Sequence, residues 1–224
     1  MLPREILGTA TTPSGEPLSL VREGVTFVVR VRNEVLMSSR VHGSEEAMAD
    51  VMRAAIGDRR RARVLIGGLG LGYTLRACLD RLAVDAEIVV RELVPAIAQW
   101  NRELVGDLAG RPLEDVRVRV EIGDVFEALA PASFDAILLD VDNGPEALTV
   151  ASNARLYRGR GVERCAEALR PGGVLVVWSA FESARFEREI TRAGLASEVV
   201  RVRARGTIKK GSRHLLYVGR ASRR

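Results

Sequence analysis

The chain has 224 residues, of which 47% are hydrophobic, so it can bury the core of one α/β domain with a small appendage. No segment approaches the roughly 20 uninterrupted apolar residues of a membrane span, and no signal peptide is evident, so we expect a cytoplasmic protein with no membrane partner. The net charge is +5, but all except two of the 34 basic residues are arginine, and this uniform bias argues against a nucleic-acid partner.

Metal and disulfide chemistry are not expected. The two cysteines, Cys78 and Cys165, lie far apart within helix-like patterns, which is typical of buried free thiols in a reduced compartment. His42 and His214 are the only histidines, and no Cys/His spacing matches a metal site. We therefore expect no metal cofactor.

Residues 1–40 predict a small N-terminal β-hairpin unit. Two β-rich runs lie within residues 25–37, and Pro, Ser and Gly at positions 13–15 predict a turn. A helix should follow, with Ser44 as its N-cap, acids in its first turn and Gly57 at its end.

From residue 41 to residue 224, apolar runs alternate with helical patterns, which predicts a Rossmann-like, mostly parallel sheet of seven strands covered by helices. Residues 203–213 are too short for a helical crossover, so the last strand should be antiparallel. The predicted strands are residues 64–67, 87–92, 116–122, 134–140, 174–178, 197–202 and 214–219. The predicted helices are residues 44–56, 74–82, 95–105, 125–129, 156–169 and 184–193.

A glycine turn joins the first of these strands to its helix. Gly68, Gly70 and Gly72 leave no β-carbons where a ligand would lie against the backbone, and the following helix offers free N–H groups. Glu92 ends the next strand 24 positions after Gly68, where an acid can bind both hydroxyls of a ribose. The GxGxG spacing favours a nucleoside-sulfonium ligand over a nicotinamide dinucleotide.

Acids also follow the next two strands. Asp124 can accept a hydrogen bond from an adenine amine while the Val125 N–H reaches a ring nitrogen; alternatively, Asp124 caps a short helix. Asp140 and Asp142 can hold a cationic amine and take its proton; alternatively, they belong to a turn of the Asp-Asn-Gly-Pro type. Trp178 and Phe181 follow the fifth strand, where an aromatic ring can stabilise a sulfonium or ammonium, or simply pack in the core.

Together these motifs resemble the spermidine synthase family, a branch of the class I methyltransferase fold. The resemblance rests on residues 64–76, Glu92, Asp124, residues 134–140 and residues 156–175. It implies an adenosyl-sulfonium ligand, with Glu92 on the ribose, Asp124 on the adenine and Asp140 as the base. It also implies a homodimer formed through the N-terminal β unit. The implied catalytic residues are Asp140 and Asp142. The implied cofactor-binding residues are Gly68, Gly70, Leu71, Gly72, Glu92, Leu93, Asp124, Val125 and Asp140. The implied substrate-binding residues are His42, Glu46, Asn143, Trp178 and Phe181.

Departures from the family pattern decide between reactions. Leu71 occupies the position of the family's acid that holds the aminopropyl amine, Asn143 replaces a second aspartate, and the glutamate that should follow His42 is displaced to position 45 or 46. The first hypothesis is therefore methyl transfer from S-adenosylmethionine to a small amine. The second is aminopropyl transfer from decarboxylated S-adenosylmethionine to putrescine or a related polyamine. The third is a non-catalytic protein that binds nucleosides, or nucleic acid through its arginine clusters.

Overall fold

The computed structural model describes residues 4–32, 34–141, 155–204 and 213–223. Their first part forms a four-stranded antiparallel sheet in which each strand pairs with the next along the chain. The sequence predicted only a hairpin here. The strands are β1 (Arg4–Thr11), β2 (Pro17–Glu23), β3 (Thr26–Val31) and β4 (Glu34–Ser38).

A seven-stranded sheet follows, in the order β10-β11-β9-β8-β5-β6-β7. Strand β11 is antiparallel to both its neighbours, whereas β5 to β9 pair parallel, so the predicted fold class is confirmed. The strands are β5 (Arg63–Gly67), β6 (Glu87–Glu92), β7 (Val118–Ile122), β8 (Phe134–Leu139), β9 (Leu169–Ser179), β10 (Ala196–Arg203) and β11 (Arg213–Arg220). The helices are α1 (Gly43–Ile56), α2 (Tyr73–Arg81), α3 (Pro95–Glu103), α4 (Arg160–Ala168) and α5 (Ala184–Arg192).

The central parallel strands β5, β6 and β8 are buried on both faces. Along β5, Val64 and Ile66 pack into one core cluster while Leu65 packs into the other, because successive side chains point to opposite faces. The first cluster also contains residues of the N-terminal sheet. Gly8 on β1 permits this contact, since a β-carbon there would lie 2.4 Å from the indole nitrogen of Trp100 on α3. The N-terminal sheet therefore covers the edge at which β5 and β6 end.

Two predicted boundaries and one predicted cap differ most from the structure. Helix α4 begins at Arg160 because Gly159 has a φ of +37°, outside the helical region. Strand β9 begins at Leu169, since the Pro-Gly-Gly segment is accommodated by a register shift against β8. Ser44 does not cap α1: the N-cap is His42, which makes no capping hydrogen bond through its side chain.

Candidate active site

The glycine turn brings the backbone close to the end of β8. Gly68 has a φ of +88°, and a β-carbon there would lie 2.4 Å from the Asp140 carbonyl oxygen. Gly70 and Gly72 also have positive φ values, of +56° and +84°. The turn can follow this path only because all three residues lack a side chain.

Glu92 is hydrogen-bonded to this turn. Its side chain is buried, and its two oxygens accept hydrogen bonds from the backbone N–H of Leu69 at 2.9 Å and of Val94 at 2.8 Å. Burial raises the pKa of Glu92, and the backbone N–H donors oppose that change. Because each carboxylate oxygen has two lone pairs, the group can still accept hydrogen bonds from a diol.

Beside Glu92 lies a narrow cavity of about 80 Å³, here called the Glu92 cavity. The ends of β5, β6 and β7 form its floor, and the N-terminal sheet forms its roof. Its lining is mostly apolar, which suits the flat ring and ribose of a nucleoside. The lining residues are Thr12, Leu18, Val31, Leu36, Met37, Gly68, Gly70, Arg91, Glu92, Leu93, Val94, Ile97, Gly123, Asp124, Val125, Asp140 and Val141.

Asp124 lies at the edge of this cavity and has structural partners. One oxygen accepts a hydrogen bond from the Phe126 N–H at 2.9 Å and caps the short 3₁₀ helix Val125–Ala128, as one of the two interpretations predicted. The other oxygen pairs with Arg155, whose guanidinium lies over the Phe126 ring. An adenine amine would have to share Asp124 with Arg155.

A second cavity, of about 310 Å³, adjoins the first and is here called the Glu45 cavity. Gly70 and Asp140 belong to both linings, so a ligand can extend from one cavity into the other. The lining residues are Val35, Leu36, Met37, Ser38, Val41, Glu45, Leu69, Gly70, Leu71, Tyr73, Thr74, Asp140, Val141, Trp178, Ala180 and His214.

Two carboxylates face this cavity. Asp140 accepts a hydrogen bond from the Thr74 hydroxyl at 2.9 Å, and its burial raises its pKa. Burial and the neighbouring charge of Asp140 raise the pKa of Glu45 to about 7, against a hydrogen bond from Ser44 that lowers it. No arginine or lysine occurs among the described lining residues. Two acids without a cation create a site for a positively charged ligand.

The structure separates the predicted substrate-binding residues. Trp178 lines the Glu45 cavity, and its buried indole N–H has no hydrogen-bond partner among the described residues. His42 stacks on Tyr73 with ring centroids 4.4 Å apart and hydrogen-bonds Glu46 at 2.8 Å. Neither His42 nor Glu46 lines the Glu92 cavity or the Glu45 cavity. Phe181 is 54% exposed and lines neither cavity.

Of the remaining predicted residues, Leu71 is buried and lines the Glu45 cavity. Leu93 and Val125 line the Glu92 cavity. Gly72 lies in the turn behind the cavities, where it precedes α2. Asp142 and Asn143 lie outside the described residues.

Sequence reasoning did not identify Thr74 or His214, and it placed Glu46 at the substrate where the structure instead puts Glu45 in the lining of the cavity. Thr74 and His214 carried no recognisable motif. Glu45 was recognised only as an alternative position for the displaced acid. Adjacent helical residues point about 100° apart, so the direction in which α1 packs decides that Glu45, and not Glu46, faces the cavity.

The described residues offer neither a metal-binding cluster nor a helix able to cross a membrane. Residues 4–32, 34–141, 155–204 and 213–223 contain no cluster of His, Cys, Asp and Glu suited to a metal ion. Within the same ranges, no helix has the length and apolar character needed to cross a membrane.

Comparison with known sequences gives relatives over part of the chain. No protein-family model matches. Polyamine aminopropyltransferases from Mycobacterium tuberculosis (strain CDC 1551 / Oshkosh) and Mycobacterium bovis are 33% identical over 128 residues, which is 55% of this chain and 23% of each relative. The chain therefore spans less than a quarter of the length of these curated relatives.

Solved structures show the same fold over nearly the whole chain. A spermidine synthase in complex with the transition state analogue AdoDATO has a TM-score of 0.74 at 16% identity, covering 98% of this chain and 73% of that chain. The spermidine synthase from Thermotoga maritima also has a TM-score of 0.74, at 17% identity and the same coverage. A probable spermidine synthase from Corynebacterium glutamicum has a TM-score of 0.63 at 15% identity, with coverage of 96% and 80%.

Proposed function

We propose, from the premise that the chain is spermidine synthase-like in sequence and in fold, that it transfers an aminopropyl group from decarboxylated S-adenosylmethionine to a small amine such as putrescine. In this proposal the nucleoside occupies the Glu92 cavity. Glu92 binds the ribose, and Asp124 binds the adenine. The amine occupies the Glu45 cavity.

The observation that carries this proposal is the charge of the Glu45 cavity. Two carboxylates face it, and none of its described lining residues is a cation. Intact S-adenosylmethionine would place its own carboxylate near them. At about 6 Å and an effective dielectric constant of about 20, each such pair repels by about 3 kcal/mol. The decarboxylated form lacks this charge, so the cavity favours aminopropyl transfer over methyl transfer.

The residues present fit a sulfonium donor, since Gly68 and Gly70 line the Glu92 cavity together with the two acids Glu92 and Asp124. When bound, the sulfonium supplies the carbon that an amine nitrogen attacks, while the carbon–sulfur bonding electrons pass to sulfur.

The chain's own contribution is orientation and proton removal. An alkylammonium is not a nucleophile until it loses a proton. In the proposed reaction Asp140 accepts that proton, and the freed lone pair forms the new bond to carbon. Thr74 holds Asp140 in place through its hydroxyl. Glu45 attracts the cation and orients it in line with the donor, which lowers the barrier by proximity.

Calorimetric titration with decarboxylated and intact S-adenosylmethionine tests the choice of donor. We expect the decarboxylated form to bind at least tenfold more tightly, and to give methylthioadenosine and spermidine when putrescine is added. Asp140→Asn should bind methylthioadenosine normally and lose most of the turnover. Unchanged turnover in this variant would refute the assignment of the base.

One observation favours the rival methyl transfer. Leu71 is buried in the Glu45 cavity, where it offers no charge to an aminopropyl amine. Tighter binding of intact S-adenosylmethionine than of its decarboxylated form would favour methyl transfer and refute the argument from cavity charge.

A further inference from the structure

Ser44 links Glu45 to His214 behind the Glu45 cavity. The Ser44 hydroxyl lies 2.6 Å from a Glu45 carboxylate oxygen and 2.9 Å from the His214 Nδ1. Ser44 is only 1% exposed, so this hydroxyl is closed to solvent. Its position excludes a serine nucleophile, because the acid contacts the serine and not the histidine, and no substrate can reach the hydroxyl.

The direction of these hydrogen bonds follows from proton counting. A hydroxyl has one proton to donate. When Glu45 is ionised it accepts that proton, so the Ser44 oxygen must accept from His214. His214 therefore carries its proton on Nδ1. Burial lowers the pKa of His214, which keeps the imidazole neutral and leaves Nε2 unprotonated.

Two elements far apart in the chain meet here. Ser44 lies in the first turn of α1, and His214 lies on β11. The Gly43 N–H donates to the Ala204 carbonyl at 2.8 Å, which joins the start of α1 to the end of β10. The His214 ring packs edge-on against Trp178 with centroids 4.6 Å apart. These contacts hold the serine and the histidine in place beside Glu45.

We infer that Ser44 and His214 are positioning residues for Glu45, directing its carboxylate at the amine of the substrate and favouring its ionised form. This inference rests on the proposed function, which places the amine in the Glu45 cavity. His214 reaches Glu45 through Ser44, because the hydroxyl stands between the imidazole and the carboxylate.

The charges around Glu45 oppose its ionisation, and the Ser44 hydroxyl counteracts them. The titratable groups that face it are Asp140 at the end of β8, Glu46 on α1, Tyr73 on α2 and His214 through Ser44. Asp140 and Glu46 carry negative charges that oppose the ionisation of Glu45. The hydroxyl donor favours ionisation, so its removal should raise the pH at which Glu45 becomes charged.

Amine binding as a function of pH tests this role. Putrescine is titrated calorimetrically in the presence of methylthioadenosine, between pH 5 and pH 9. A hydrogen bond to a charged group corresponds to a shift of about one pH unit or more, so Ser44→Ala should move the acidic limit of amine binding upward by about that amount. His214→Leu should move the limit in the same direction, and His214→Asn, whose amide can replace the Nδ1–H donor, should restore it.

The double variant decides whether His214 acts through Ser44. Ser44→Ala combined with His214→Leu should shift the limit no further than Ser44→Ala alone, because the two residues form one chain of hydrogen bonds. An additive shift would overturn the inference. Ser183→Ala is the matched control. The hydroxyl of this buried serine accepts the Phe186 N–H at the start of α5, and Ser183 lines neither cavity, so its loss should leave the pH limit unchanged.

A measurement on the ligand-free protein separates the inference from the proposed function. With only two histidines in the chain, ¹⁵N correlation spectra can assign both imidazoles. We expect His214 to be the Nδ1–H tautomer above pH 8, and this signal to change in Ser44→Ala. The Nε2–H tautomer, with amine binding intact, would overturn the inference alone. The expected tautomer without amine binding at any pH would refute the proposed function alone.

Discussion

Replacing Gly68 with alanine tests whether the glycine turn shapes the site or merely terminates a strand. Gly194 offers a matched control, because its φ of +82° is close to the +88° of Gly68 and an added β-carbon there would have no atom within 4 Å. A left-handed backbone costs a non-glycine residue about 1–2 kcal/mol, so both variants should lose that much unfolding free energy.

Gly68→Ala should lose more. Its β-carbon would lie 2.4 Å from the Asp140 carbonyl oxygen, which must move by about 1 Å to reach ordinary contact. That movement strains the hydrogen bond from the Asp140 N–H to the Gly67 carbonyl, now 2.9 Å long. Overpacking of this kind typically costs a further 1–3 kcal/mol. The total for Gly68→Ala is therefore about 2–5 kcal/mol.

Urea unfolding and calorimetry with methylthioadenosine measure the two consequences. Gly194→Ala should bind the nucleoside as the unmodified chain does. Gly68→Ala should bind it at least tenfold more weakly, since the shift displaces the Leu69 N–H that orients Glu92. Equal stability losses in the two variants, with nucleoside binding unchanged in both, would refute the assignment of the turn to the ligand site.

Three further substitutions test the buried acids. The folded protein holds the Glu45 proton up to about pH 7, whereas the unfolded chain loses it near pH 4.5, so the free energy of unfolding falls as the pH rises between these values. Glu45→Gln should remove this fall, which is on the order of 3 kcal/mol. Urea unfolding at a series of pH values measures it. Thr74→Val should raise the pKa of Asp140 and move the acidic limb of kcat/KM to higher pH. Asp135→Asn, at the start of β8, should cost about 2–3 kcal/mol of unfolding free energy, measured in urea.

A Glu45→Gln variant with the same pH dependence of stability as the unmodified chain would contradict the burial of that carboxylate. A kcat/KM profile unchanged in Thr74→Val would show that the hydroxyl does not influence the base. Asp135 accepts hydrogen bonds from Arg59 and Arg170 and is 2% exposed. The exposed Asp58→Asn control should change the free energy of unfolding by less than about 0.5 kcal/mol. An equal loss in Asp135→Asn and Asp58→Asn would show that burial of the Asp135 carboxylate does not cause the loss.

The sheet could be predicted from the sequence because its strands are continuous apolar runs separated by helical periodicity. The short connection before β11 also predicted the antiparallel last strand correctly. The resemblance to spermidine synthases was confirmed by sequence and by fold. Boundaries failed where glycine and proline were involved: the segment before Val174 continues a strand, although its composition is typical of a turn.

The acid site was only half predictable. Asp140 follows a buried strand, so its position at the carboxyl edge of the sheet could be predicted from chain order alone. Glu45 belongs to a helix outside the alternating pattern, and only the packing of α1 against the sheet places it opposite Asp140. His214 is more distant still, because its contact with Ser44 spans 170 positions of the chain. Local sequence carries no signal for such a contact.

The two acids of the Glu45 cavity give a physical reason for the leucine at position 71. Each carboxylate added to an enclosed cavity raises the pKa of its neighbours, and Glu45 is already raised to about 7 with Asp140 as its charged neighbour. A third acid at position 71 would raise it further and leave the cavity mostly protonated at neutral pH. With leucine there, two carboxylates can remain ionised when a cation is bound. The cavity therefore suits a ligand whose cationic charge is concentrated near Glu45 and Asp140, with an apolar segment of the donor against Leu71.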